Sequence, residues 1–536
     1  MSKHVSLERI GVVAGSTTLS RVLGLARESL VAAVFGTTLW NSAFQFAFNL
    51  PNLFRRLLAE GQLMAAFIPT LAEESEAAGR PGVFALLNKV ATWLLLVSGA
   101  LTVLAIAGLG AASFWPDLAE RYVLGAKLSQ LLFPYLVFVC LAAALSAVLQ
   151  LFGHFSIPAV TAVWLNLAII AFLGGGGWFL AHTPAGRMGW LCAGVLFGGF
   201  LQLAIPFWVL MREGWRPRWD TVPSPRLWEM LRLMAPGIVG TAIYQINFLV
   251  SRSLALSLNE SAVTVLTIAN RVLEVPQGIF TVSVATVVFP LIATFAVRGD
   301  LENLASAYWK GMRLICVITI PAAAGLALLS VPIVRLAFQH GAFKAEDTRV
   351  TAPILAIFAV GLPFYSWVTQ TIRGCYAMKD TVMPVRIAGI AFGVNLLASL
   401  ALMRWFGTAG LAWAGNVAII LQAVLLQVAL ARKVPTLHVS VLVPSLVKIV
   451  AATAAMATFV ALAWWALRAT ALPLRVADLI AVGGVIPVGT VLYAAVLWAL
   501  RLEEREEIVD LARKMAAKLG LPVKLVASTG GDPKSP

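Results

Sequence analysis

Six charged residues stand inside or beside two strongly apolar stretches near the start of the chain. They are Arg21, Arg27 and Glu28 in SRVLGLARESLVAAVFG, and Arg55, Arg56 and Glu60 in FQFAFNLPNLFRRLLAEG. An unpaired charge at the centre of a bilayer costs several kcal/mol, roughly 2.5 to 3.5 on translocon scales, so something must compensate it. On one helix, Arg21 and Glu28 share a face while Arg27 points about a third of a turn away. Arg56 and Glu60 stand at i, i+4 and can pair, which leaves Arg27 and Arg55 as the less obviously neutralised cations. A third stretch, TIANRVLEVPQGIF, adds Arg271 and Glu274 at i, i+3. One reading of these charges is structural: they form intramembrane ion pairs or snorkel to an interface. The other is functional: arginines converging from the first, second and eighth spans make a cationic, partly hydrated cavity. Planar guanidinium forks suit bidentate recognition of phosphate oxygens, so the expected cargo is anionic, a phosphate or diphosphate. Pro51 and Pro276 interrupt helical hydrogen bonding beside these charges and are candidate hinges.

Other chemistries lack their residues. His154, His182, His340 and His438 fall at loop or interface positions and have no neighbour at metal-ligand spacing, so no metal site is expected. Without a GxxxxGK[ST] loop, nucleotide hydrolysis by that route is excluded, and no cofactor is expected. Cys140, Cys192, Cys316 and Cys375 are widely spaced and read as small buried packing residues.

The elements that must position the arginines are transmembrane helices. The 536 residues are 60% hydrophobic and 12% charged, far from the balance of a soluble globular chain. A span needs about 20 apolar residues, and counting such runs gives about 14 spans. The N-terminal run has no convincing cleavage site and is expected to stay as the first span. The net charge of +15 is spread between apolar runs rather than gathered in one basic stripe, which speaks for membrane topology and against nucleic acid. Arg212, Arg216, Arg218 and Arg226, and later Arg432 and Lys433, mark cytoplasmic connections, and an even span count then places both termini in the cytoplasm. The second span ends in AFIPTL and the eighth in VVFPLI, a weak internal repeat that points to two six-span lobes.

The expected architecture is therefore an all-α polytopic membrane protein, with two six-helix lobes around a central cavity and two extra C-terminal helices. Residues 1–212 form the first lobe, 213–228 a cytoplasmic linker, 229–433 the second lobe and 434–500 the two additional helices. Residues 501–536 are read as a cytoplasmic amphipathic helix with acidic residues early and lysines late, followed by a disordered tail.

Four motifs resemble those of the lipid II flippases called MurJ or MviN, within the multidrug/oligosaccharidyl-lipid/polysaccharide exporter superfamily. They are SRVLGLARE at 20–28, LPNLFRRLLAEG at 50–61, NRVLEVPQG at 270–278, and FQHGAF with YAMKDTVMP within 338–384. The resemblance covers the full length. It implies two lobes forming a V-shaped alternating-access cavity, with the last two helices shaping a groove for a polyprenyl tail. It also implies transport of undecaprenyl-diphosphate-linked disaccharide-pentapeptide, lipid II, from the cytoplasmic to the periplasmic leaflet of the bacterial inner membrane for peptidoglycan synthesis. The implied partners are lipid II, membrane lipids and the cell-wall synthesis machinery. Residue by residue, the family's functional arginines match Arg21, Arg27, Arg55 and Arg271, and its acidic positions match Glu28 and Glu60.

The chain departs from that pattern where charge is concerned. Ser42 stands where many relatives have an Asp, Asn49 where a Lys is frequent, and Asn270 where an Asp commonly precedes the eighth-span arginine. SRS at 251–253 replaces a segment that often holds an Asp, which makes Arg252 unexpected. These changes remove negative charge and put a carboxylate-based sodium or proton site in doubt. The alternatives to lipid II transport are export of another polyprenyl-linked glycan or an amphipathic drug, an intramembrane polyprenyl-phosphate enzyme, and a cell-wall scaffold. The enzyme would want paired carboxylates for Mg²⁺ or for acid and base work, and the intramembrane Asp residues that relatives carry at 42, 270 and within 251–253 are missing.

Overall fold

With no water to satisfy them, backbone N–H and C=O groups in a bilayer must pair within their own segment, and a chain this apolar resolves that constraint with helices. The computed structural model describes residues 3–58, 62–114, 117–278 and 282–501. The helices are α1 (Lys3–Phe35), α2 (Leu39–Leu58), α3 (Gln62–Ser113), α4 (Glu120–Leu132), α5 (Tyr135–Leu151), α6 (Ser156–Ala171), α7 (Pro184–Arg212), α8 (Pro225–Leu258) and α9 (Ala262–Pro276). There follow α10 (Val282–Arg298), α11 (Leu301–Leu328), α12 (Ser330–Phe338), α13 (Ala345–Ala377), α14 (Val382–Phe406), α15 (Thr408–Lys433), α16 (Val443–Ala469), α17 (Leu474–Ile480) and α18 (Ile486–Ala499). Among the described residues, nine helices are long and apolar enough to cross a membrane, or ten if the bent pair α4 and α5 is one span. At 33 and 34 residues, α1 and α8 also have the length to cross. This architecture is compatible with the expected 14 spans. The expected amphipathic helix and tail beyond Arg501 lie outside the described residues.

Two compact units are present. Taking the described residues alone, the first comprises those of Met1–Val275, Ser330–Gly361 and Val382–Gln422, and the second those of Pro276–Leu329, Leu362–Thr381 and Ala423–Pro536. In the first, α3 packs on α5 and α8, α6 on α1 and α7, and α2 on α4 and α8. Buried Phe67, Leu71, Leu87, Leu145, Val148 and Trp215 form one core of this unit, and Val31, Phe44, Leu132, Tyr135 and Leu191 belong to another. The long α3 changes direction at Gly79, whose φ of 64° suits a residue without a Cβ. In the second unit, α11 packs on α10 and α16, and α16 on α18. There the buried Tyr308 hydroxyl donates to Gln427 Oε1 (2.6 Å), which also accepts from Trp367 Nε1 (3.0 Å). All four cysteines are buried and free, in keeping with their reading as packing residues.

Two sets of polar contacts within the first unit hold its loops. The segment after α7 is clamped to α3: Arg80 pairs with Glu213 (3.1 Å), Lys89 with Asp220 (2.7 Å), and Arg226 with Glu73 (2.8 Å). His154 also reaches Glu213 (3.0 Å), so it is more than an unattached loop histidine. The His154 hydrogen bond, followed by the positive charges of His154 and Arg80, holds the Glu213 carboxyl below its ordinary value of 4.5. A depressed carboxyl stabilises fully above the ordinary value and loses that contribution as pH falls through the lowered one, so the Glu213–Arg80 pair loosens in acid.

At the other loop, the FQHGAF turn after α12 sits on the end of α1. Ala342 N donates to the Ala33 carbonyl (2.7 Å), Ser29 Oγ donates to the Ala337 carbonyl (2.7 Å), and Ser29 Oγ lies 2.8 Å from His340 Nε2. Thr37 is hydrogen-bonded to Asp347. Gly341 has a φ of 63°, and a Cβ there would overlap the Ala33 carbonyl oxygen. Gly341→Ala is therefore expected to destabilise the protein by roughly 1–3 kcal/mol through backbone strain, with the overlap adding to it. A thermal melt reads this as a lower Tm, and an unchanged Tm would show that the turn is not held on α1 as described.

Candidate functional site

Glu28 is the centre of the charged cluster, and four helices of the first unit meet at it. It is 3% exposed. Its Oε1 accepts from Arg27 Nη2 (2.5 Å) and from Arg271 Nη2 (3.4 Å), and its Oε2 accepts from Gln45 Nε2 (3.1 Å). Arg27 is held on its other side by Asn166, whose Oδ1 accepts from Nη1 (3.2 Å) and whose Nδ2 donates to the Ser20 carbonyl (3.1 Å). Arg271 Nη1 donates to Glu274 Oε2 (2.8 Å), and Asn270 Nδ2 donates to Glu274 Oε1 (2.9 Å). Thus α1 brings Arg27 and Glu28, α2 brings Gln45, α6 brings Asn166, and α9 brings Asn270, Arg271 and Glu274. Two guanidiniums are balanced by two carboxylates, and the Arg271 side chain, 37% exposed, has a face free to meet a ligand.

One inference from spacing is corrected. Helical periodicity pairs Arg21 with Glu28 and leaves Arg27 over, whereas Arg27 makes the ion pair and Arg21 Nη1 only approaches the Glu274 carbonyl at 3.5 Å. Adjacent helical residues do not face each other, but a buried carboxylate needs a counter-ion, and Arg27 is long enough to fold back once Asn166 holds its other nitrogen. Pro51 does not end α2, which runs through it to Leu58. The side chains of Asn49 and Asn52 donate to the carbonyls of Gln45 (2.6 Å) and Phe48 (2.7 Å), giving carbonyls near the proline extra donors. Arg55 lies ten residues beyond Gln45 on α2, about 15 Å along the axis, and so stands apart from the ligands of Glu28. Glu60, and with it the expected pairing to Arg56, lies outside the described residues.

The positions without the expected acids remain polar. Ser42 is fully buried and its hydroxyl lies 3.0 Å from Thr264 Oγ1, joining α2 to α9 without a charge. Asn270 serves as a donor to Glu274 where an Asp would repel it. Gln45 and Asn166 were not among the sequence candidates. The signal was present, since each is a lone amide inside an apolar run, SAFQFAF and AVWLNLAII, and a polar residue in a span is expected to face a partner.

The helical bundle formed by the described residues is the fold seen in solved transporters of the multidrug/oligosaccharidyl-lipid/polysaccharide superfamily. An inward-facing multidrug resistance MATE transporter of that superfamily aligns with a TM-score of 0.63 at 14% identity, over 80% of this chain and 98% of its own. The chain belongs to the lipid II flippase MurJ family, whose description matches residues 31–474. The probable lipid II flippase MurJ of Rhizobium meliloti (strain 1021) is 34% identical over 514 residues, 92% of this chain and 94% of the relative. The lipid II flippase MurJ of Burkholderia cenocepacia is 30% identical over 78% of this chain and 83% of its own. A solved lipid II flippase MurJ in an inward closed conformation aligns with a TM-score of 0.75 at 24% identity, over 92% of this chain and 99% of that one.

Because Glu28 neutralises Arg27 and Arg271 together, Glu28→Gln leaves two cations without their shared counter-ion. The expected loss is about 3–5 kcal/mol, as for breaking a buried pair, measured as a lower Tm in detergent. An unchanged Tm would show that the arginines are neutralised by something else.

Proposed function

We propose that this chain moves lipid II from the cytoplasmic to the periplasmic leaflet of the bacterial inner membrane by alternating access of residues 1–212 against residues 229–433, supplying the cell-wall synthesis machinery. It is a transporter and not an enzyme, a lipid flippase of the MurJ family. The observation that carries the reading is the shared carboxylate. Glu28 holds the guanidiniums of Arg27 and Arg271 by charge-assisted hydrogen bonds, and a diphosphate offers the same guanidiniums more oxygens and more charge.

In this reading Arg21, Arg27, Arg55 and Arg271 bind the diphosphate, and Glu28 is the resident anion that keeps the cluster assembled when no lipid is present. Cargo displaces Glu28 from the arginines, and release follows when Glu28 takes them back in the other open state. A transporter needs such a difference, because a ligand held equally in both states shifts nothing. Pro51, inside α2 between Gln45 and Arg55, supports gating, and Glu60 is assigned the same part. Ser42 and Asn270 keep the cluster polar without adding acids. The membrane potential, acting on cavity charges at about 2.3 kcal/mol per charge per 100 mV, is a source of coupling that needs no extra carboxylate. The arginine-rich connection Arg212 to Arg226 supports cytoplasmic termini.

Arg27→Ala and Arg271→Ala are each expected to abolish complementation of a flippase-depleted bacterial strain at normal expression. Normal growth would remove those two residues from the site. In vesicles holding labelled lipid II, leaflet exchange without chemical change is the expected result, and conversion of the lipid would overturn the transporter reading.

A further inference from the structure

Arg252 is the one unexpected cation on α8, and the cluster around Glu28 does not account for it. It is 6% exposed. Its Nη1 donates to the Val263 carbonyl (3.3 Å) and its guanidinium lies over the Phe248 ring at 4.9 Å. Among the described residues no carboxylate forms an ion pair with it. A backbone carbonyl and an aromatic face soften the loss of water but supply no counter-ion in direct contact, and a desolvated cation in a membrane span is a candidate functional position.

Its depth gives the function. The α1–α2 turn and the α8–α9 turn lie at the same end of these helices, as the contact of Ser42 with Thr264 requires. Counting from that end at 1.5 Å per residue, Arg252 lies about 9 Å deep, Arg27 about 12 Å, Arg271 about 14 Å, Arg21 about 21 Å and Arg55 about 24 Å. By backbone position the arginines form a ladder along the helices, with Arg252 as the rung nearest the turns. The FQHGAF turn, through Ala342 on Ala33, and Asp347 of α13, through Thr37, cover that same end.

We propose that Arg252 is the release-side anion-binding residue. It takes the cargo diphosphate from Arg27 and Arg271 when the turn end opens, and is covered by Val263 and Phe248 while that end is shut. This rests on the flippase reading above. It separates two tasks: capture belongs to the arginines that share Glu28, and passage toward the turn end belongs to Arg252.

The test uses the full chain in nanodiscs for binding of labelled lipid II and in proteoliposomes for leaflet exchange, with Arg252→Gln and Arg252→Lys beside the wild type. For Arg252→Gln, the expected binding constant stays within about threefold of wild type while exchange slows about tenfold or more, since only the differential between states has changed. Arg252→Lys, which keeps the charge and loses the fork, is expected to recover about half of the exchange rate. Exchange by Arg252→Gln within about twofold of wild type would overturn the proposal, and so would binding lost together with exchange. A collapsed melting transition in that variant would also overturn it by making the residue structural. Failure of the wild type to exchange lipid II would instead bring down the flippase reading itself.

Discussion

A carboxylate buried in a membrane protein has to be neutralised, and the way Glu28 meets that requirement organises the first unit. Its two oxygens take hydrogen bonds from Arg27, Gln45 and Arg271, which ties α1 to α2 and α9. Asn166 then ties α6 to α1 through Arg27 and Ser20. Asn166 lies against α1 at Gly24, where an added Cβ would stand 3.8 Å from its Nδ2, an ordinary contact. Apolar packing among these helices supplies most of the contact, but it is not directional, and without the ion network nothing would fix which faces of α1 and α9 turn toward each other.

The same network shows how Ser42 and Asn270 fill their positions without an acidic side chain. An Asp at position 42 or 270 would add negative charge beside Glu28 or Glu274. With Ser42 bonded to Thr264 and Asn270 donating to Glu274, the polar geometry persists while the local balance shifts toward the arginines. Such a site has less need of a bound cation and more attraction for an anion. Arg252, which has no ion pair among the described residues, carries this shift furthest.

Much of the arrangement was legible in the sequence, and the reasons are physical. Apolar runs of span length identify the helices because the bilayer leaves the backbone no other solution. Charges inside those runs identify Arg27, Glu28 and Arg271 because their cost demands a purpose. Pairing was less legible. Periodicity compares Cβ directions on one helix, whereas the partners of Glu28 are set by α2 and α9 and by the reach of Arg27. Amides such as Gln45 and Asn166 are quieter signals than charges, and their role depends on which helices pack together. The motif FQHGAF carried the resemblance without a stated role; its glycine and carbonyl contacts on α1 become visible only in three dimensions.

The central claim is that Glu28 and the cargo diphosphate compete for the same guanidiniums. It is tested most directly by the shift in Tm that saturating lipid II produces in Glu28→Gln compared with the wild type, because a ligand stabilises by what it adds to the folded state. If the diphosphate replaces the missing carboxylate, the shift is larger in Glu28→Gln than in the wild type. An equal or smaller shift would contradict the account, because the arginines would then not be shared between Glu28 and the lipid.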